Sequence, residues 1–267
     1  MDLQLDEKVV LVTGSNRGTG CGVAGVLAAE GATVIVHGFE QAGAETVAEE
    51  LRAAGGRAHA VSGDIRTDAG ADATVAAVRD VTDHLDVLVN NYGVAEGGGW
   101  LDGTSDDWLD IYHKNVLSGV RLVRHFLPEM VERRSGRVIF VSTVGATRPR
   151  EQMPHYYASK AALVNMAVSL AKEVAGSGVT VNTVSPGIIA TAEVRESMTR
   201  RAARRGLGTD WAQVEKVAME EFMPVPVGRI GRVEDVGYLI AFLASDLAGY
   251  INAANLRIDG GSADCTN

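Results

Sequence analysis

The sequence predicts a single doubly wound α/β domain over 1–267, with a parallel sheet of seven strands and a helical excursion at about 188–227. Three observations carry that expectation. Short apolar segments alternate with helix-length segments along nearly the whole chain, which is the pattern of βαβ units joined by right-handed crossovers. The first strand-like segment runs directly into a glycine-rich turn and then a small-residue helix. The chain has 267 residues, 46% hydrophobic and 22% charged, and a chain of that size can bury roughly three-quarters of its unfolded surface in one core.

Each element follows from its local pattern. Residues 8–13 are a nearly continuous apolar run, as expected for a strand covered on both faces. A helix over 21–30 is stopped by Gly31, just past its end. Further strands are predicted at 33–37, 58–62, 86–90, 137–141, 179–184 and 255–258, with helices at 42–54, 69–84, 107–133, 156–175 and 233–243. No strand pattern occurs between 188 and 231, only two weak helical ones. A long excursion beyond a strand's carboxyl end is where such sheets place a lid over a ligand. The 156–175 helix is apolar nearly all round, including Leu163, Val164, Met166, Val168 and Leu170. One side is expected to pack on the sheet and the other to meet a second subunit.

Composition narrows the function. A net charge of −9 and a pI near 5.2 argue against a nucleic-acid footprint, which needs a concentrated basic face. Two cysteines, Cys21 and Cys265, make neither a disulfide framework nor a four-ligand zinc site, and no metal is expected. The acidic start lacks the basic and apolar parts of a signal peptide, and no apolar run nears the ~18 residues of a membrane span. The expectation is a cytoplasmic protein without a membrane partner.

After the first strand comes Thr13-Gly14-Ser15-Asn16-Arg17-Gly18-Thr19-Gly20. Glycines permit a tight turn, and a pyrophosphate can sit against the amino end of the next helix. Downstream lie Asn90-Asn91-Tyr92-Gly93, Asn115, Tyr156-x-x-x-Lys160, Pro186-Gly187-Ile188-Ile189-Ala190-Thr191, Arg229-Ile230-Gly231 and Asp259-Gly260-Gly261. In this order over essentially the whole chain, the motifs resemble the short-chain dehydrogenase/reductase family, whose fold is a Rossmann domain. The resemblance implies an oxidoreductase that exchanges a hydride between a nicotinamide cofactor and a ketone or secondary alcohol. Gly14, Ser15, Asn16, Arg17, Gly18, Thr19 and Gly20 would line the phosphates and adenosine ribose. Asp64 and Ile65 would hold the adenine ring, Asn91 and Gly93 the adenosine side, and Pro186, Gly187, Ile189 and Thr191 the nicotinamide.

Cofactor choice rests on the end of the second strand, where a carboxylate reads a free ribose and a cation reads a 2′-phosphate. Gly38 and Phe39 occupy the deciding places and supply neither. Arg17 resembles the basic residue of phosphate-reading relatives, Glu40 pulls the other way, and neutral His37 adds no charge. NADP(H) is the expected cofactor, with NAD(H) as the alternative.

Tyr156 and Lys160, four apart on one helix face, lie about a turn from each other. A phenol with a pKa of ~10 is a poor proton shuttle at neutral pH. An ammonium ~4 Å away at an effective dielectric near 20 contributes ~4 kcal/mol, enough to bring it towards 7. The resemblance makes Tyr156 the proton donor, Lys160 its partner on the nicotinamide ribose, and Asn115 the anchor of a proton-supplying water. The family's substrate-binding serine falls at Thr143, with Ser142 beside it; neighbouring strand residues face opposite sides, and spacing favours Thr143. Tyr92 replaces the family's usual alanine and either fills part of the substrate cleft or packs beside the sheet. Trp100, at the tip of Gly97-Gly98-Gly99, is either a pocket wall or a packing residue.

The excursion carries Arg195, Arg200, Arg201, Arg204 and Arg205. They suit an anionic substrate, but Glu196 four before Arg200 favours a solvated helix face. Met198, Trp211, Met219, Phe222 and Met223 give the lid an apolar side. Among relatives, 3-oxoacyl-thioester reductases look most similar, while sugar, polyol and hydroxysteroid dehydrogenases share the motifs; a non-catalytic dinucleotide sensor would be expected to lose Tyr156 or Lys160. A homotetramer acting on a small carbonyl or alcohol substrate is expected.

Overall fold

The structure is a computed structural model that describes residues 1–96, 98–221 and 224–265. It is a Rossmann-type α/β domain with seven strands in one parallel sheet: β1 (Val9–Val12), β2 (Thr33–Gly38), β3 (Arg57–Ser62), β4 (Val87–Asn90), β5 (Gly136–Val141), β6 (Val179–Pro186) and β7 (Asn255–Ile258). Their spatial order is β3-β2-β1-β4-β5-β6-β7. The connections reverse direction between β1 and β4, the switch point outside which α/β sheets bind ligands.

Strand periodicity explains the layers. Val10 and Val12 face one side while Leu11 faces the other, and β2, β4 and β5 alternate in the same way. On one face the strands pack against α1 (Gly18–Ala29), α2 (Gln41–Ala53) and α9 (Val233–Ala244). On the other they meet α3 (Asp68–Val81), α5 (Ser118–Glu132) and α6 (Pro154–Glu173). Leu11, Ile35, Leu88 and Phe126 are fully buried, so cutting any of them back to Ala costs about 2–5 kcal/mol.

Two local departures and one expected feature matter for the site. The segment expected to be one helix over 107–133 is α4 (Ser105–Tyr112), then a π-helical turn His113–Leu117, then α5. Asn115 sits inside that widened turn, where its amide bonds the main chain of Val94 rather than facing solvent. Such turns recur at functional positions. Second, α6 begins two residues earlier than the motif suggests, with Pro154 in its first turn and Met153 left-handed before it (φ 55°). Third, the excursion after β6 holds α7 (Ala192–Arg204) and α8 (Trp211–Glu221). No helix among the described residues is long and apolar enough to cross a membrane.

Candidate active site

The carboxyl ends of the strands open into one cleft of about 1570 Å³. Single-ligand pockets run to roughly 1,000 Å³, so a dinucleotide and a small substrate fit together. At one end lies the glycine loop. Gly14 and Gly18 take left-handed φ values of 61° and 58°, which lets the chain turn sharply into α1. The amino end of α1 has no side-chain cap and no acidic residue in its first turn. Its free N–H groups therefore present a site suited to a phosphate.

The loop is braced from beneath. Ser15, expected at the phosphates, is fully buried; its hydroxyl donates to the Val12 carbonyl (2.6 Å) and accepts from the His37 amide (3.0 Å). His37 accepts from the Gly14 amide through Nδ1 (3.1 Å) and bonds the Gly63 carbonyl through Nε2 (3.0 Å). Burial pushes its pKa down to about 4, so it is a neutral brace between three strand ends. Thr13 Oγ1 accepts from the amides of Asn91 and Tyr92 (3.0 and 2.9 Å), tying β1 to β4. Asn91 Nδ2 donates to the carbonyls of Thr13 and Gly14.

Asn16, Arg17, Thr19 and Gly20 line the cleft, as do Gly38, Phe39 and Glu40. Arg17 is three-quarters exposed and lies 3.8 Å from Glu193 on α7. Ile65 is in the core beneath β2 and β3. The Asp64 carboxylate is engaged by Arg66, which itself lines the cleft.

At the other end are the chemical groups. Tyr156 and Lys160 stand on α6, facing the end of β5. Lys160 is buried and donates from Nζ to the Val141 carbonyl (2.9 Å). A Cβ on Gly93 would come 2.7 Å from that nitrogen, so a side chain there would push the lysine's end from this position. Burial pushes the Lys160 pKa down to about 8. Burial also pushes Tyr156 up to about 12, against a hydrogen bond with the Thr143 side chain that lowers it. Burial therefore dominates at Tyr156, while the Lys160 ammonium is directed at the Val141 carbonyl.

Thr143 and Ser142 both line the cleft just beyond β5, but their hydroxyls take different partners. Thr143 lines the cleft and touches Tyr156. Ser142 is 5% exposed and its hydroxyl donates to the Lys160 carbonyl (2.8 Å). Asn115 is buried: Oδ1 accepts from the Val94 amide (2.7 Å), and Nδ2 donates to the Val94 carbonyl and to Ser159 Oγ (both 3.0 Å). Gly93, Pro186, Gly187, Ile189 and Thr191 line the cleft beside this group, and the Thr191 hydroxyl also caps α7.

Sequence reasoning missed Ser159, Arg66 and the bracing role of His37. Ser159, three residues after Tyr156, donates to the Tyr156 carbonyl (2.7 Å); its place inside the Tyr-x-x-x-Lys motif was the available signal. Asp64-x-Arg66 was a signal for a local ion pair. Tyr92 packs on Phe39, with ring centroids 4.9 Å apart. Trp100 is 69% exposed, and its ring meets Trp108 at a tilt (5.6 Å), which in turn meets His155 (5.9 Å). Gly97, Phe222 and Met223 lie outside the described residues. Arg200 pairs with Glu196 (3.2 Å) and Arg195 lies over Trp211 (4.7 Å), on the solvated face expected of that helix.

Fold and site together define an oxidoreductase built on a dinucleotide cleft with a Tyr–Lys pair. A family model described as short chain dehydrogenase matches residues 8–202, and the chain belongs to that family. It is 33% identical over 259 residues to the 3-oxoacyl-[acyl-carrier-protein] reductase FabG of Escherichia coli (strain K12), covering 97% of this chain and 98% of that one. Its fold matches L-sorbose reductase from Gluconobacter frateurii, solved with NADPH and L-sorbose, at a TM-score of 0.92 and 29% identity, over 99% of this chain and 100% of that one. It also matches a 7α-hydroxysteroid dehydrogenase solved with NADH and 7-oxo glycochenodeoxycholic acid, at 0.85 and 26%, over 100% and 98%.

Proposed function

We propose that this protein is an NADP(H)-dependent ketone reductase, of the type that reduces 3-oxoacyl thioesters. The observation that carries this reading is the placement of Tyr156 in the cleft, hydrogen-bonded to the Thr143 side chain and one helical turn before Lys160, where its hydroxyl can exchange a proton with a substrate oxygen. When bound, the nicotinamide supplies the hydride to the substrate carbon, or takes it back in reverse. Thr143, beside the phenol, would donate a hydrogen bond to the substrate oxygen. Lys160, with a pKa of about 8, is charged at pH 7 and would hold the nicotinamide ribose and restore the tyrosine proton. Asn115 and Ser159 fix the turn of helix behind it.

The residues fit a dinucleotide. The uncapped end of α1, with Asn16, Arg17 and Thr19, would hold the phosphates; Asn91 would serve the adenosine ribose, and Ile189 and Thr191 the carboxamide. No carboxylate stands at Gly38 or Phe39, and Arg17 lines the same end of the cleft, which supports the phosphorylated cofactor. A homotetramer fits the groove between α5 and α6, lined by Val120, Leu127, Met166 and Leu170.

A second reading, a sugar or polyol substrate, is favoured by the charged mouth of the cleft, where Glu96, Arg150 and Glu151 lie. A panel of 3-oxoacyl thioesters, keto-sugars and oxo-steroids, each with NADPH and NADH, decides among them. Tyr156→Phe should lower turnover on the accepted substrate about 1000-fold and leave the dinucleotide Kd within about twofold. Retained turnover would remove Tyr156 from the mechanism.

A further inference from the structure

We propose that Arg148 and Asp264 form a clamp that fixes one wall of the substrate end of the cleft, and that this wall limits how bulky a ketone the protein accepts. The inference rests on the reductase reading above and adds what sets the size of its substrate.

The wall begins at the Asp259-Gly260-Gly261 motif, directly after β7. Gly260 and Gly261 take left-handed φ values of 62° and 83°, which glycine adopts without strain. The Asp259 carboxylate accepts from the amides of Gly261 (3.1 Å) and Ala263 (2.8 Å) and so holds the turn. Beyond it, Ser262 and Ala263 line the same cleft as Thr143, Tyr156 and Gly187. A Cβ on Gly187 would come 2.9 Å from the Asp259 Cα and 3.3 Å from Ser262 Oγ. The turn therefore lies directly against the Pro186-Gly187 corner.

Two neighbours secure it. Val225, Pro226 and Val227, beyond α8, pack on the two glycines, and the Val227 amide donates to the Gly260 carbonyl (3.1 Å). From the loop between Thr143 and Tyr156, Arg148 makes two bonds. Its Nη1 donates to the Ser262 carbonyl (3.0 Å), and its Nε to the Asp264 carboxylate (2.7 Å). The turn joins the far end of the excursion to the loop that carries Thr143.

The pair is placed to tune the wall and not to seal it. Arg148 is half exposed and Asp264 three-quarters exposed, and an ion pair so placed contributes modestly. A bulky ligand can push the wall aside at a measurable cost, which is discrimination by opposing the larger ligand. Arg148 lines the cleft and Asp264 does not, so Asp264 acts on a substrate only through the clamp.

The test is steady-state kinetics with a small and a bulky ketone of the class that the substrate panel selects. For the thioester reading these are the acetoacetyl and 3-oxodecanoyl thioesters of N-acetylcysteamine. Asp264→Ala should raise the kcat/KM ratio, bulky over small, about two- to fivefold through KM, with kcat and the dinucleotide Kd within about twofold. Arg148→Ala should give the same shift, and the double variant no more than either alone. Hydrogen exchange across 259–265 should quicken by about the same two- to fivefold in each variant, a readout that needs no turnover. Circular-dichroism melts establish that the variants fold. An unchanged ratio or unchanged exchange in Asp264→Ala would overturn the proposal. So would a shift in Arg148→Ala that Asp264→Ala does not share, which would make Arg148 a direct substrate contact. If no ketone is turned over, the reductase reading itself fails and the size limit fails with it. If ketones are reduced and only the variants disagree, the clamp alone is refuted.

Discussion

The two ends of the cleft are held by different means. At the catalytic end, side chains are anchored to main-chain groups: Lys160 to the Val141 carbonyl, Ser142 to the Lys160 carbonyl, Asn115 to both polar groups of Val94, and Ser159 to the Tyr156 carbonyl. At the adenosine end the glycine loop has main-chain anchors in Ser15, His37, Thr13 and Asn91, but the side chains around it hold one another: Arg66 to Asp64, Arg66 over Phe39, Phe39 against Tyr92, and Arg17 towards Glu193. Main-chain donors and acceptors are present whatever the sequence and come with the fold. Side-chain partners exist only if both residues are chosen. The chemistry is therefore tied to the fold, and cofactor grip is tied to this chain.

The largest effect that could break this contrast is at Thr143 and Ser142. Thr143→Ala should lower kcat about 100- to 1000-fold, the usual loss for one donor to a developing oxyanion. Ser142→Ala should keep kcat within about threefold but cost about 1 kcal/mol of stability, because it leaves a main-chain bond unmade. Steady-state kinetics and denaturant melts read the two together. If Ser142→Ala loses more turnover than Thr143→Ala, the catalytic end is not organised as described.

The same contrast explains what the sequence could reveal. Seven strands, their βαβ linkage and the glycine loop were legible because periodicity and glycine spacing are local. Tyr156 and Lys160 were legible because one helix turn puts them on a common face. The π-helical turn at Asn115 was not: the residues 107–133 read as one helix, and the widening depends on Val94, twenty-one residues upstream in the chain. Strand alternation predicted that Ser142 and Thr143 face apart, but both line the cleft; which of them meets Tyr156 needed the packing of α6 on β5. The stack of Arg66, Phe39 and Tyr92 joins three strand ends that only the sheet order brings together. Spacing puts Lys160 near Tyr156 but does not give the direction of its ammonium, which bonds the Val141 carbonyl.

A pH experiment sharpens the comparison at His37, where the adenosine end uses main-chain anchors like those of the catalytic end. Burial lowers its pKa from 6.5 to about 4. Between those values the unfolded chain binds more protons than the folded one, so stability falls as the solution is acidified. The contribution is complete above about pH 6.5 and gone near pH 4, and it amounts to about 3 kcal/mol. Urea midpoints across this window should fall for the wild type and flatten for His37→Gln. Protonation of the folded protein, near pH 4, also removes the acceptor for the Gly14 amide, so dinucleotide affinity should fall only at the acid end of that window. An unchanged slope in the variant would assign the acid sensitivity to other groups.

The smallest expected effect concerns Arg17. Its nearest acid, Glu193, is 3.8 Å away and half exposed, and such surface pairs contribute little to stability. Their competition for a ligand is still measurable. Glu193→Gln leaves Arg17 nothing to prefer over a 2′-phosphate, so NADPH should bind about two- to threefold tighter at low ionic strength, an effect that ~0.5 M salt should screen away. NADH lacks the phosphate and should be indifferent to the change. Titrating both cofactors at two salt concentrations therefore tests the role of Arg17 at the adenosine end. A gain limited to NADPH leaves Arg17 as the reader of the 2′-phosphate. Equal gains for both cofactors would mean that Glu193 repels the shared pyrophosphate, and the phosphate-reading role of Arg17 would be withdrawn.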